Sequence, residues 1–256
     1  MNTRPFTGHN YFPSLQLQGT HMLISSYQHR YLRCLQIDNR QIAAQQLRID
    51  LVMSDITPLS RCVPIVIPAN GVVALPQALV TPSDTHDPFN GHIPCLWQEH
   101  PFFLAGQSLV VDDKGAPATA DVLWADPNAP HLGQAASSGG YRLFGDDGTP
   151  TEHLRRVMQR LRQLQEEVGR TQRLVALLEQ AEGLERKMIT HHGHNMSVYR
   201  IVVEGLADRL ENIDPSQAGH ALVMAEAIAE SQQNVPFSTP ERQWHDQHLS
   251  PFGNVI

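Results

Sequence analysis

The stretch Thr149-Pro150-Thr151-Glu152-His153-Leu154-Arg155-Arg156-Val157-Met158, running on to Gly183, decides the fold of this chain. Leu154, Val157, Met158, Leu161, Leu164, Val168, Val175 and Leu178 recur at helical spacing, with Arg, Gln and Glu between them. That spacing puts the apolar side chains on one stripe of an α-helix about seven or eight turns long. Thr149 and Glu152 have capping-box spacing: the Thr149 hydroxyl can take an orphan amide while Glu152 reaches back, with Pro150 in the first turn. Gly183 is placed to end the helix, and Gly169 is where it could break.

Downstream, residues 184–189 and 196–203 read as two strands of a hairpin around His191-His192-Gly193-His194-Asn195. Residues 206–210 suit a short turn of helix. Asp214-Pro215-Ser216-Gln217 is a second cap signature, opening a helix through Leu222, Val223, Met224, Ala225, Ile228 and Ala229. From Asn234 the chain turns polar and Pro-containing, as a loosely held tail does.

Upstream, the chain reads as β-rich and punctuated by proline. Short apolar runs occur at Leu15-Gln16-Leu17 and Met22-Leu23-Ile24, and residues 39–51 suit a strand followed by a turn. Asp55 or Thr57 can cap a short helix with Pro58 in its first turn. Val63 to Ile67, β-branched between prolines, reads as a short buried strand. Residues 70–100 are expected to be loop-rich. Strands follow at residues 102–105 and 108–112, with Asp113-Lys114-Gly115 as a turn. Residues 116–140 read as an inserted excursion.

The predicted class is therefore α+β: a β-rich N-terminal half with a long amphipathic helix, a β-hairpin and a C-terminal helix. The expected division is 1–140, 141–235 and a tail at 236–256, because composition changes across 116–148. The long apolar stripe must be covered, by the preceding sheet or by a second copy in a homodimer.

Composition narrows the function. Of 256 residues, 41% are hydrophobic and 18% charged, which is globular composition, and the net charge of −7 disfavours a nucleic-acid binder. No apolar stretch approaches the roughly 20 residues of a transmembrane helix. The N-terminus lacks the apolar core of a secretory signal, so a cytoplasmic location is expected. Cys34, Cys62 and Cys95 are widely spaced, and Cys34 and Cys62 read as small buried hydrophobes rather than as a disulfide or zinc framework. A P-loop, a dinucleotide fingerprint, a zinc-protease motif and a nucleophile elbow are all missing, so no cofactor is expected. Asp112-Asp113-Lys114-Gly115 and Asp146-Asp147-Gly148 lack the alternating ligands of a calcium loop and read as turns.

Several stretches taken together resemble the SapC family of bacterial proteins. They are residues 55–67, Trp97-Gln98-Glu99-His100-Pro101-Phe102-Phe103-Leu104 with the following Leu109-Val110-Val111-Asp112, and Leu143-Phe144-Gly145-Asp146-Asp147-Gly148-Thr149-Pro150-Thr151. Residues 189–210 and the helix from Pro215 resemble the closing hairpin and last helix of that family. The likeness covers roughly residues 40 to 235. The chain departs from the family in a shortened, Pro-rich segment before Phe102, in the loop at 116–140 and in the tail. The resemblance implies an association with surface-layer protein genes, export and modification, and it supplies no catalytic residues.

Two groups could carry chemistry. Glu99 and His100 could act as an acid–base pair beside the bend at Pro101, with Trp97, Phe102 and Phe103 forming an apolar binding wall. The plainer reading is that Trp97 and Phe102 fill the core while Glu99 and His100 face solvent. His191, His192 and His194, joined by His245 and His248, could bind Zn²⁺ or Ni²⁺. A polar hairpin tip is the plainer reading, and no metal is favoured. The preferred function is a non-catalytic accessory protein that binds a protein or peptide in surface-protein handling. An enzyme acting on a peptide or small aromatic substrate and a metal-binding protein are the alternatives.

Overall fold

The computed structural model describes residues 22–69, 74–83, 87–111, 117–133 and 139–238. In chain order the elements begin with β1 (Met22–Leu23), β2 (Arg33–Cys34), α1 (Asn39–Ala43), β3 (Arg48–Asp50), α2 (Met53–Leu59), β4 (Ile65–Pro68) and β5 (Gln77–Leu79). There follow α3 (Cys95–Gln98), β6 (Phe102–Val111), β7 (Pro117–Ala125), β8 (Leu132–Gly133) and β9 (Tyr141–Arg142). The long helix α4 (Glu152–Gln180), the hairpin β10 (Leu184–His191) and β11 (His194–Ile201), then α5 (Leu206–Ile213) and α6 (Pro215–Ser231) complete the fold. The α+β class holds. Two compact units divide the chain, one of Met1–Asn39 with Cys95–Gly169, the other of Arg40–Pro94 with Arg170–Ile256.

The first unit holds two three-stranded antiparallel sheets, in the orders β1-β7-β6 and β8-β2-β9. Leu154, Val157 and Leu161 of α4 are buried against Ile24, Leu32, Phe102, Leu104, Leu123, Leu143 and Phe144. Fully burying such side chains contributes about 1.5–3 kcal/mol each. The predicted stripe is thus covered inside the chain. Residues 117–125, expected within an excursion, form β7 instead. Their backbone is paired along β6, so the pairing replaces the apolar content that the sequence lacks. Likewise the strands expected at 102–105 and 108–112 are one strand with an irregularity between Leu104 and Gln107. The turn at Asp113 and the runs before Met22 lie outside the described residues.

The start of α4 corrects the expected cap. Thr149 and Pro150 are held extended: Gly145 N donates to the Thr149 carbonyl (2.8 Å), Thr151 N to Leu143 O (2.9 Å), and Phe144 pairs with Pro150. The helix can begin only after them. Thr151 is the residue whose hydroxyl accepts from Leu154 N at 3.4 Å, while Thr149 donates its hydroxyl to Asp147 Oδ1 at 2.8 Å. Gly169 does not break the helix. At the other end Glu182 N donates to Glu179 O and Gly183 N to Leu178 O, a Schellman pattern with Glu182, not Gly183, at positive φ (51°). Gly183 makes room for a neighbour: a Cβ there would stand 2.8 Å from Leu206 Cδ1, which would have to shift.

The second unit is built on a five-stranded antiparallel sheet, β10-β11-β4-β5-β3. Its hairpin turns on His192 (φ 47°) and Gly193 (φ 78°), the two positive values that a tight two-residue turn needs. The ladder therefore closes to His191 and His194, further than expected. Residues 39–51, expected as strand then turn, are α1 followed by β3. Helix α2 starts at Met53, ahead of both expected caps, because Asp55 Oδ2 accepts Val52 N (3.2 Å) and Thr171 Oγ1 accepts Met53 N (2.9 Å). Pro58 consequently sits inside the helix, not in its first turn. Asp214 caps α6 as expected, accepting from Ser216 N and Gln217 N. Cys62 corrects another expectation: it follows the end of α2 and is exposed, whereas Cys34 is buried.

Buried Gln232, just past α6, ties β4 to β11. Its amide donates to Ile65 O and Tyr199 O (both 3.1 Å), and its Oε1 accepts Ile201 N at 3.0 Å. Gln232→Met keeps the volume but strips these main-chain groups of their partner. A loss on the order of 3 kcal/mol in urea unfolding is expected.

Asp50 and Gln77 face one another across β3 and β5, with Gln77 Nε2 donating to Asp50 Oδ1 at 2.7 Å. Burial pushes the Asp50 carboxyl up to about 6, against the opposing pull of Gln77 and Arg48. Gln77 Oε1 is buried without a partner among the described residues, so a protonated Asp50 has an acceptor waiting. Because the folded pKa is raised, this contribution to stability is full below about pH 4, the unfolded value, and is lost as pH rises through about 6. Asp50→Asn is expected to raise Tm at pH 8 and to flatten the pH dependence of Tm between 4 and 7, as read by thermal unfolding.

Candidate functional site

Polar side chains of the first unit gather around Asn39, the residue that opens α1. Its side-chain amide donates to Gln98 O (3.2 Å) and His100 O (3.3 Å), which sets the amide's orientation. Oδ1 then faces His131 Nε2 at 2.6 Å, so Nε2 carries the proton and donates. His131 is 2% exposed, and its Nδ1 has no hydrogen-bond partner among the described residues. Burial lowers its pKa, in keeping with a neutral ring.

His100 lies between two rings, 5.0 Å from Trp97 and 5.1 Å from His131. Burial, reinforced by His131 and opposed by Asp126, brings its pKa down to about 4, so it is neutral at physiological pH. Glu99 turns the other way, to Arg160 at 2.8 Å, with 10% of its side chain exposed. The expected acid–base pair is therefore adjacent in sequence but directed to different partners. Glu99 also bears on two neighbours. Its charge adds to burial in pushing the Cys34 thiol up to about 11. It opposes burial at His153, whose pKa is lowered on balance. Cys34 stays a thiol at neutral pH, and thiols in that form are poor nucleophiles.

Of the expected apolar wall, Phe102 and Phe103 are buried, Phe102 within the core under α4, while Trp97 is half-buried against His100. In the second unit His191 donates from Nε2 to Leu47 O at 3.1 Å and meets His192 edge-on at 4.4 Å. His194 pairs with His191 across the hairpin and is exposed. His245 and His248 lie outside the described residues.

An open cleft of about 490 Å³ lies in the first unit, lined by Leu35, Gln36, Ile37, Gly140 and Tyr141. It exists because β9 stops pairing with β2 after Cys34. Gly139 (φ 69°) and Gly140 (φ 81°) turn the chain there, and a Cβ on Gly140 would come within 2.6 Å of Cys34 O. Beyond that point the main-chain groups of Gln36 and Ile37 have no hydrogen-bond partner among the described residues. Tyr141 stands at the edge, half exposed, stacked on His153 at 4.5 Å and 14°. The sequence reading missed Asn39, His131 and Tyr141. The pair Gly139-Gly140 was the one local signal for the cleft.

No curated protein and no solved structure matches the chain. No helix among the described residues is long and apolar enough to cross a membrane. The family model named SapC matches residues 24–218, which takes in every strand from β2 to β11, the long helix, α5 and the first turn of α6. With most of its length matched, the chain belongs to the SapC family.

Proposed function

We propose that this chain is a non-catalytic accessory protein of bacterial surface-protein handling or modification that binds an extended peptide segment in the cleft beside Leu35, Gln36 and Ile37. The observation that carries the reading is that the main-chain groups of Gln36 and Ile37 have no hydrogen-bond partner among the described residues, just past the point where the two glycines take β9 away. Main-chain groups just past the end of a paired strand can bind a peptide main chain to main chain, as in strand addition, with nearby side chains setting the preference. Tyr27, Tyr31 and Tyr141, at 95%, 69% and 50% exposure, supply aromatic surface in the same unit. The binding reading is favoured over proton transfer because Glu99 is held by Arg160 and burial brings the His100 pKa down to about 4, which makes it a weak base at neutral pH. The link to surface proteins rests on the family alone.

A photo-crosslinking residue at position 141, with position 223 on exposed α6 as the control, tests this in producing cells. Adducts to defined peptide segments are expected at 141, at least tenfold above 223. Gln36→Pro, which removes one main-chain donor, is expected to abolish them, while Gln36→Ala leaves them. Equal labelling at both positions, or indifference to Gln36→Pro in a folded chain, overturns the reading.

A further inference from the structure

In the second unit, Val66, Leu79, Ile189 and Val198 form a buried apolar cluster on the five-stranded sheet, with Met196, Val235 and Phe237 packed against it. Val235 and Phe237 come from the chain after α6, two residues apart and only partly buried, with exposed Pro236 between them. The same segment reaches the edge strand β10. Met188 N donates to Ser238 O and Ser238 N to Met188 O, both at 2.9 Å, and the Ser238 hydroxyl adds a bond to Met188 O at 3.3 Å.

We infer that this sheet face and the β10 edge form a second peptide-docking groove, closed in cis by residues 235–238. It accepts from a partner a segment with an apolar and an aromatic side chain two positions apart across a tight turn, as in the cis segment, where Phe237 N donates to Val235 O at 2.9 Å. The cis segment displays the ligand chemistry. Its main chain pairs with an edge strand at Ser238, and Val235 and Phe237 both enter one apolar cluster, so it combines the edge pairing and side-chain pockets by which peptides dock on sheets. Its hold is thin. Among the described residues, one narrow pair of main-chain bonds, the Ser238 hydroxyl and two half-covered side chains hold it to the sheet, and these can be released in a local opening that leaves the sheet intact. This groove lies in the second unit and does not depend on the cleft beside Gln36.

The test uses the full chain carrying Val235→Ser and Phe237→Ser, which weakens the cis segment without altering the groove. A fluorescent synthetic peptide with the sequence of residues 233–240 is the probe. Binding at least tenfold tighter to the substituted chain than to the unsubstituted one is expected, and a probe carrying the same two Ser substitutions should not bind. Equal binding to both chains overturns the inference, as does no binding to a substituted chain whose β11 amides remain protected. Dimerisation of the substituted chain with the probe excluded also overturns it, giving the groove to a second copy. If that chain does not fold, hydrogen exchange on the unsubstituted protein decides. The Ser238 amide should exchange at least a hundredfold faster than the β11 amides, and equal protection overturns the proposal.

Discussion

Burial of Leu154, Val157 and Leu161 is the constraint on which the first unit rests. Five of its six strands are two to nine residues long and four of them have only two. Strands that short do not hold a sheet by their own hydrogen bonds. What keeps β2, β8 and β9 in place is that Leu32, Cys34 and Leu143 are packed with the helix row in one cluster, which also takes in Phe102, Leu104 and Leu123 from the other sheet. The cleft depends on the same packing. Leu35, Gln36 and Ile37 are positioned by Cys34 on one side and Asn39 on the other, and both of these are buried. The main-chain groups at Gln36 can lack partners among the described residues because the residues flanking Gln36 are fixed by the core.

Where the short elements end, single polar side chains take up the main-chain groups. Asn39 serves Gln98 and His100, Thr171 serves the first amide of α2, and Gln232 serves Ile65, Tyr199 and Ile201. Each is buried, and each meets groups that would otherwise be stranded in an apolar setting. Buried amides and hydroxyls of this kind need no charge to do their work, so these polar interiors are not thereby reactive ones. His100 and Cys34 fit the same pattern, since burial drives both toward their neutral forms.

How much of this was legible follows from how local each determinant is. The long helix, the hairpin and α6 depend on periodicity and on caps such as Asp214, all contained within a few residues, and they could be read directly. The error at Thr149 arose from a non-local cause. Its spacing to Glu152 is right for a cap, but Leu143 and Gly145 claim residues 149–151 for a bridge first. β7 was missed because its partner β6 supplies the order that its own composition does not suggest. The site was least legible. Asn39 and His131 are 92 positions apart, and neither carries a local mark of their 2.6 Å contact. Glu99 and His100 drew attention as sequence neighbours, yet the bend at Pro101 sends one toward Arg160 and the other toward Trp97 and His131.

That outcome bears on what the family's surfaces can recognise. Burial drives His100 and His131 toward their neutral forms and Glu99 is matched to Arg160, so these side chains add little long-range electrostatic steering. The accessible features are main-chain groups at Gln36 and Ile37, which every peptide can satisfy, and tyrosine rings, which favour apolar or aromatic neighbours. On the proposed reading, affinity would come mainly from the main chain, and selectivity from the wall lined by Leu35, Ile37 and Tyr141. A ligand that met them would be distinguished by the spacing of its side chains rather than by its charge. A side chain at position 140 would displace that wall, because its Cβ would meet the Cys34 carbonyl oxygen at 2.6 Å.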